Sequence, residues 1–197
     1  MPLEPYVLQT QRLGMRRYAA TDVGALRAVF ADPYAAKFYP AMNTTQALER
    51  WVSWNLKNYE DYGFGLWALE LLETRQFIGD AGITYQTPEA ERILEVGWHV
   101  HPAFRSLGYA TEAAKACIQF GFTRLQTIAL SSIVDPANTA SIKVATRVHM
   151  EQREYQGKSG PMLLFGTTAT QFAARPNPSI GGTLSGLRPP SAPHVKR

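Results

Sequence analysis

The chain reads as an α/β (α+β) domain built from about seven strands and about four helices. Three observations predict it. At 197 residues with 45% apolar and 18% charged residues, the chain is long enough to bury one sizeable core. Residues 66 to 100 alternate as a three-stranded meander. From Leu94 to Phe122 a strand feeds a tight turn and then an amphipathic helix.

Taken in order, Val7 to Tyr18 reads as the first strand. Thr21 is placed to cap a short helix, with Asp22 in its first turn and Val23, Leu26, Val29 and Phe30 as its apolar stripe. Asp32-Pro33 ends that helix, and Tyr34, Phe38, Tyr39 and Pro40 form an aromatic loop. Asn43 and Gln46 then read as a capping pair for a helix running to Tyr62. Its stripe is Leu48, Trp51, Val52, Leu56 and Tyr59, with Trp54 off the main face. Gly63 and Gly65 end it.

Leu66 to Leu72 and Phe77 to Tyr85 make a hairpin, and after the solvent loop at Pro88, Glu89 and Glu91 the third strand runs from Arg92 to Val100. On that strand Glu95, Gly97 and His99 share one face, while Val96, Trp98 and Val100 share the other. His101-Pro102 closes it. The helix that follows offers Ala110, Ala113, Ala114, Cys117, Ile118 and Gly121 as interior positions. Thr127 to Val134 is a strand, a helix follows Ser141 to about Val148, and Glu151 to Tyr155 and Met162 to Thr168 are the last two strands.

The formal net charge of +4 does not point to nucleic acid. From residue 173 onward the only charged residues are Arg175, Arg188, Lys196 and Arg197, and these four account for the whole excess. The same stretch is rich in Pro and Gly, so the division expected is a domain over 1–172 and a disordered basic tail over 173–197. No secretory signal or membrane span is read, which makes a cytoplasmic location the expectation. Cys117 is the only cysteine and falls on the interior face of its helix. His99, His101, His149 and His194 show no zinc-ligand spacing, so no metal is expected.

The turn Arg105-Ser106-Leu107-Gly108-Tyr109-Ala110 is an anion-binding candidate. First-turn N–H groups of a helix lack intrahelical partners and carry partial positive charge. Gly108 lets a ligand approach the backbone, and Arg105 could add a charge-assisted contact. Neither G-x-x-x-x-G-K-[ST] nor G-x-G-x-x-G is present, which excludes the nucleotide and dinucleotide phosphate loops. There is no G-x-S-x-G elbow either.

Arg105 to Ala110 matches the R/Q-x-x-G-x-G/A signature of the GNAT acyltransferases. With Glu95-Val96-Gly97 upstream, Gly108-Tyr109-Ala110-Thr111-Glu112-Ala113, and Asp135-Pro136-Ala137-Asn138-Thr139-Ala140-Ser141 downstream, the chain resembles the ribosomal-protein-alanine N-acetyltransferase (Rim-type) branch. Thr10 to Arg16 resembles the opening of the same branch. The resemblance covers about residues 7 to 170. It implies a mixed central sheet and acetyl-CoA as co-substrate.

It also implies site residues. Arg105, Ser106, Leu107, Gly108, Tyr109, Ala110 and Thr111 would hold the pyrophosphate. Backbone groups of Trp98, His99 and Val100 would pair with the pantetheine arm, and Asn138 and Ser141 would contact it from across the cleft. The alternative is that Asn138 or Ser141 merely caps the helix; the spacing from Gly108 favours cofactor contact. Phe38, Tyr39, Trp54 and Tyr62 are candidate walls of the acceptor pocket, or simply core and cover. The sequence departs from the branch at Arg147-Val148-His149-Met150, where K-L-G-F is usual; His149 at the expected glycine C-cap would be strained in the left-handed region.

Acyl transfer to an amine needs a neutral nucleophile, a stabilised oxyanion and a thiolate that is held or protonated. The resemblance puts Glu95 in place to take the amine proton and Ser141 near the thioester sulfur; His99, two strand steps from Glu95 on the same face, is a second base candidate or a packed or solvent-facing histidine. The expected activity is transfer of acetyl from acetyl-CoA to a primary amine, a protein N-terminus or a small molecule, by direct attack in a ternary complex. The alternatives are a different acyl donor and an acyl-CoA-binding regulatory domain without turnover. No nucleic-acid or membrane partner is expected, and a monomer or homodimer is.

Overall fold

A computed structural model of the chain describes residues 6–157 and 160–175. The N-terminal segment is a hairpin, β1 (Leu8–Gln9) and β2 (Leu13–Arg16), rather than one strand. After it come α1 (Val23–Phe30), α2 (Pro33–Phe38) and α3 (Thr45–Tyr62). The meander is β3 (Leu66–Leu71), β4 (Phe77–Gln86) and β5 (Ile93–Val100), followed by α4 (Tyr109–Thr123). Then come β6 (Ala129–Val134), α5 (Thr139–Val148), β7 (Glu151–Gly157), β8 (Gly160–Thr168) and α6 (Ala169–Ala173).

All eight strands join one sheet in the order β1-β2-β3-β4-β5-β6-β8-β7. Every neighbouring pair is antiparallel except β5 and β6, which run parallel and share a single registered pair, Glu95 opposite Ser131. Beyond that pair side chains replace the ladder: Ser132 Oγ donates to the Val96 carbonyl at 2.6 Å, and the Ile133 N–H donates to the Glu95 carboxylate at 3.2 Å. The sheet therefore opens into a cleft at Glu95.

The core lies between the sheet and its helices, where Leu13, Trp67, Leu69, Ile78, Ile83, Ile118, Leu130 and Phe165 are all buried. Ala113, Ala114, Cys117, Ile118 and Gly121 of α4 are buried as expected, and Phe120 joins them, while Ala110 is only partly covered. Small residues on that face let the helix lie close to the sheet. Val96, Trp98 and Val100 bury on one face of β5, as the alternation required.

Several boundaries move for physical reasons. Asp32 does not stop α1 but caps α2, accepting from the Tyr34 and Ala35 N–H groups, with Pro33 at the first helical position. Tyr34 and Phe38 are thus helical rather than in a loop. Thr44, not Asn43, caps α3 by accepting from Ala47. Thr21 lies in a short 3-10 turn before α1, and Asp22 is turned inward, where it holds Arg16 through two bonds of 2.7 and 2.8 Å. His149 leaves α5 in the extended region at φ −100°, so the expected left-handed strain does not arise. Its buried ring bonds Ser132 through Nε2 at 2.9 Å and Thr167 through Nδ1 at 3.2 Å.

Described structure runs a little past residue 172. The helix α6 crosses it, and Arg175 donates to the Val148 carbonyl at 2.7 Å, so packed structure continues to residue 175. The expected tail disorder concerns residues that otherwise lie outside the described ones. Among the described residues no helix is long and apolar enough to cross a membrane, and no group of three or more His, Cys, Asp or Glu side chains is arranged to hold a metal.

Candidate active site

Two cavities open on the cleft. The first, about 750 Å³, lies over the start of α4 and the first turns of α5. The second, about 540 Å³, lies between α3 and the splayed ends of β5 and β6. Phe38, Tyr39, Trp98, His99, Asn138 and Ser141 line both, so the cavities meet at one wall.

Their charges differ in sign. The Lys, Arg, Asp and Glu residues lining the first are Arg105, Lys143 and Arg147; those lining the second are Glu95 and Asp135. Lys143 and Arg147 are exposed, sit four residues apart on one face of α5, and pair with no acid among the described residues. Sequence reasoning passed over both, although their spacing after Asn138 places them on one side of a helix.

The turn before α4 is shaped by its backbone. Ser106 has φ 63° and Gly108 has φ 85°, the latter as N-cap of α4. Tyr109, Ala110 and Thr111, whose N–H groups belong to the first turn and lack intrahelical partners, line the cavity. Leu107 does not line it: its side chain is exposed, and its carbonyl accepts from Arg12 Nη1 at 3.0 Å. Arg12 also pairs with Glu112 at 2.6 Å and lies over the Tyr109 ring at 4.3 Å. A residue of the β1–β2 turn thereby staples the turn before α4.

Arg105, expected at the pyrophosphate, lines the first cavity and is already engaged by its neighbours. Its guanidinium grips Asp32 at 2.7 and 3.0 Å, and its Nε donates to the Val100 carbonyl at 3.1 Å. The guanidinium in turn holds the Asp32 carboxyl below the usual carboxylate range. Arg105 therefore ties the turn to α2 and β5, and the unpaired positive charge over the cavity comes from α5.

Asn138 caps α5, with Oδ1 accepting from the Ser141 N–H at 3.0 Å and from the Tyr34 hydroxyl at 2.9 Å. Its Nδ2 makes no hydrogen bond among the described residues, so capping leaves a donor for a ligand. Ser141 faces both cavities one turn further on. Tyr34, whose helical setting the Asp32-Pro33 signal hides in the sequence, orients this cap.

Glu95 sits half-buried at the vertex of the cleft. Burial pushes its carboxyl up to about 7, opposed by the Ile133 N–H and by the nearby His99. Of the expected acceptor residues, Phe38, Tyr39 and Trp54 line the second cavity, joined by Trp51 and Tyr155. Tyr62 does not: it packs on Phe64 and Tyr85 outside both cavities, with Arg92 stacked over the pair.

Comparison with known proteins gives this arrangement a family. Residues 12–151 match the acetyltransferase (GNAT) domain. The uncharacterized protein YkkB of Bacillus subtilis is 35% identical over 147 residues, covering 73% of this chain and 84% of YkkB. The crystal structure of an acetyltransferase from Agrobacterium tumefaciens superposes with a TM-score of 0.72 at 28% identity, covering 85% of this chain and 96% of that one. A RimL ribosomal L7/L12 alpha-N-protein acetyltransferase solved with coenzyme A shares the fold at a TM-score of 0.68 and 13% identity, over 84% of this chain and 98% of its own. With the match spanning most of the described residues and both halves of the cleft, the chain belongs to the GNAT acetyltransferase family.

Proposed function

We propose that the protein moves an acetyl group from acetyl-CoA to a compact primary amine by direct attack within a ternary complex. The observation that carries this reading is the pair of cavities of opposite charge meeting at one wall. The basic cavity, with the α4 N-terminus at its floor, suits a coenzyme A pyrophosphate, as the coenzyme A bound to the RimL structure also suggests. The acidic cavity suits an ammonium group. Its aromatic walls, Trp51, Trp54 and Tyr155, favour an amine carried on a small apolar body, through area burial and cation–π attraction.

In this mechanism the thioester arm lies along the open edge of β5, with Asn138 Nδ2 donating to one of its amides. A backbone N–H among Trp98, His99 and Val100 polarises the thioester carbonyl. The amine arrives as a cation in the acidic cavity and must lose a proton before it can attack. Glu95, held near neutrality by burial, takes that proton directly or through water. Nitrogen attacks the carbonyl carbon, the oxyanion forms and collapses, and the C–S bond breaks with Ser141 Oγ hydrogen-bonding the departing thiolate.

Thiol release from acetyl-CoA, measured across a panel of arylalkylamines, polyamines and N-terminal peptides, tests the reading. Turnover confined to compact amines is the expected result; a protein that binds coenzyme A but releases thiol with none of them refutes it. Glu95→Gln should lower kcat about 100-fold and Ser141→Ala about tenfold, both with coenzyme A affinity retained.

A further inference from the structure

Between the two cavities lies a group that the mechanism above leaves unused. Asp80 of β4 is completely buried, yet no Lys or Arg pairs with it among the described residues. Its Oδ2 accepts from the Tyr18 hydroxyl at 2.7 Å and from Trp51 Nε1 at 2.9 Å. An indole N–H can only donate. Burial, reinforced by Asp80 itself, holds the Tyr18 phenol far above its ordinary value, so it too remains a donor. The other oxygen, Oδ1, meets His99 Nδ1 at 2.6 Å. These neighbours dictate the tautomer with the proton on Nδ1, which leaves the Nε2 lone pair facing outward.

The ring is fixed on its remaining sides. Phe30, Tyr39 and Trp51 stand around it with centroids 5.2, 4.7 and 5.4 Å away. Its side chain is 10% exposed, and the residue lines both cavities. Nε2 makes no hydrogen bond among the described residues. A histidine whose task is packing uses both nitrogens, as His149 does with Ser132 and Thr167. His99 has one nitrogen oriented by a buried carboxylate and the other open at the junction of donor and acceptor.

We infer that His99 is a catalytic residue whose Nε2 carries the second proton of the reaction from the acceptor nitrogen to the departing sulfur, with Asp80 as its positioning residue. The inference rests on the acetyl-transfer reading, in which two protons must leave nitrogen. The first goes to Glu95 and on to solvent before attack. Once the N–C bond forms, the adduct still carries a proton that the product amide does not. Nε2 takes it; as the C=O bond re-forms and the C–S bond breaks, the electron pair goes to sulfur and Nε2 returns the proton there. The imidazole ends as it began, and the sum is ammonium plus thioester giving amide, thiol and one released proton. A shuttle between two atoms bonded to the same carbonyl carbon has to stand where the two cavities meet, and His99 does.

The test is steady-state thiol release by wild type, His99→Asn, His99→Ala and Asp80→Asn, with coenzyme A affinity and melting temperature recorded for each. Expected for His99→Asn, whose side-chain amide can still donate to Asp80, is a kcat lower by about 100-fold with coenzyme A affinity within about twofold. Added imidazole should restore His99→Ala at least about tenfold, an effect that a purely structural histidine does not give. Asp80→Asn should lower kcat while His99 is still present. His99→Asn retaining a third or more of wild-type kcat, or imidazole restoring nothing to a folded His99→Ala, overturns the inference and leaves acetyl transfer standing. A wild type that turns over no amine overturns both.

Discussion

Glu95 shows how one residue's surroundings set its chemistry. Its carboxyl is pushed up to about 7 by burial, against the ordinary 4.5. As the proposed base Glu95 must be ionised to act, so kcat/KM of the wild type should rise with pH through about 7 and level off above it, and Glu95→Gln should lose that acidic limb. Stability moves the other way. The folded value lies above the ordinary one, so the stability contributed by the un-ionised form is full below about 4.5 and is lost as pH rises through 7. The melting temperature of Glu95→Gln relative to wild type should therefore increase from pH 5 to pH 8, by an amount no larger than roughly 3 kcal/mol allows. A constant difference across that range would show that Glu95 is not held un-ionised. Glu95 could be found from the sequence because the resemblance marks it. Asp80 could not: its meaning depends on the β4–β5 register that sets it opposite His99, nineteen residues on, and on Trp51 arriving from a helix.

At the level of elements, the turn between β5 and α4 was the most legible part of the molecule, since a glycine before an alanine-rich amphipathic run says where a helix starts. What the residues of the turn do was less legible. Arg105 looked like a phosphate ligand, and only the packing of α2 against the turn shows Asp32 taking its charge. The element α2 itself was missed because Asp-Pro signals both the end of one helix and the capped start of another. Gly108 is the position to perturb. A side chain there would bring a left-handed penalty of about 1–2 kcal/mol and a Cβ 3.4 Å from Arg12 Nη2. Gly108→Ala should lower the melting temperature by about 2–8 °C and raise the acetyl-CoA KM several-fold, with kcat for a saturating donor little changed. Arg12→Gln should mimic the KM effect without the backbone strain, since it removes the bond to the Leu107 carbonyl and the pairing with Glu112. If Arg12→Gln bound coenzyme A as wild type does, the staple would have no part in shaping the site.

Across the whole molecule, the separation of charge between the cavities is the property the sequence concealed most completely. Net charge pointed to the tail, yet the sign change that matters lies inside the domain, between α5 cations and the carboxylates of β5 and the β6 end. The parallel pair β5 and β6 holds at one registered position only, and the acidic cavity is lined by residues of α3 and of those two strands. Lys143 and Arg147 are exposed, and their attraction for phosphates should be screened by salt. Raising the ionic strength from about 0.01 to 0.15 M shortens the screening length from about 30 to about 8 Å, and the wild-type acetyl-CoA KM should rise several-fold over that range while kcat stays constant. In a Lys143→Ala/Arg147→Ala double variant the KM should begin high and barely respond to salt. Lys57→Ala, which removes a cation paired with Asp61 on α3, should keep the wild-type slope. An acetyl-CoA KM that ignores both salt and the α5 substitutions would mean that the α4 N-terminus alone holds the pyrophosphate and that the α5 cations serve another end.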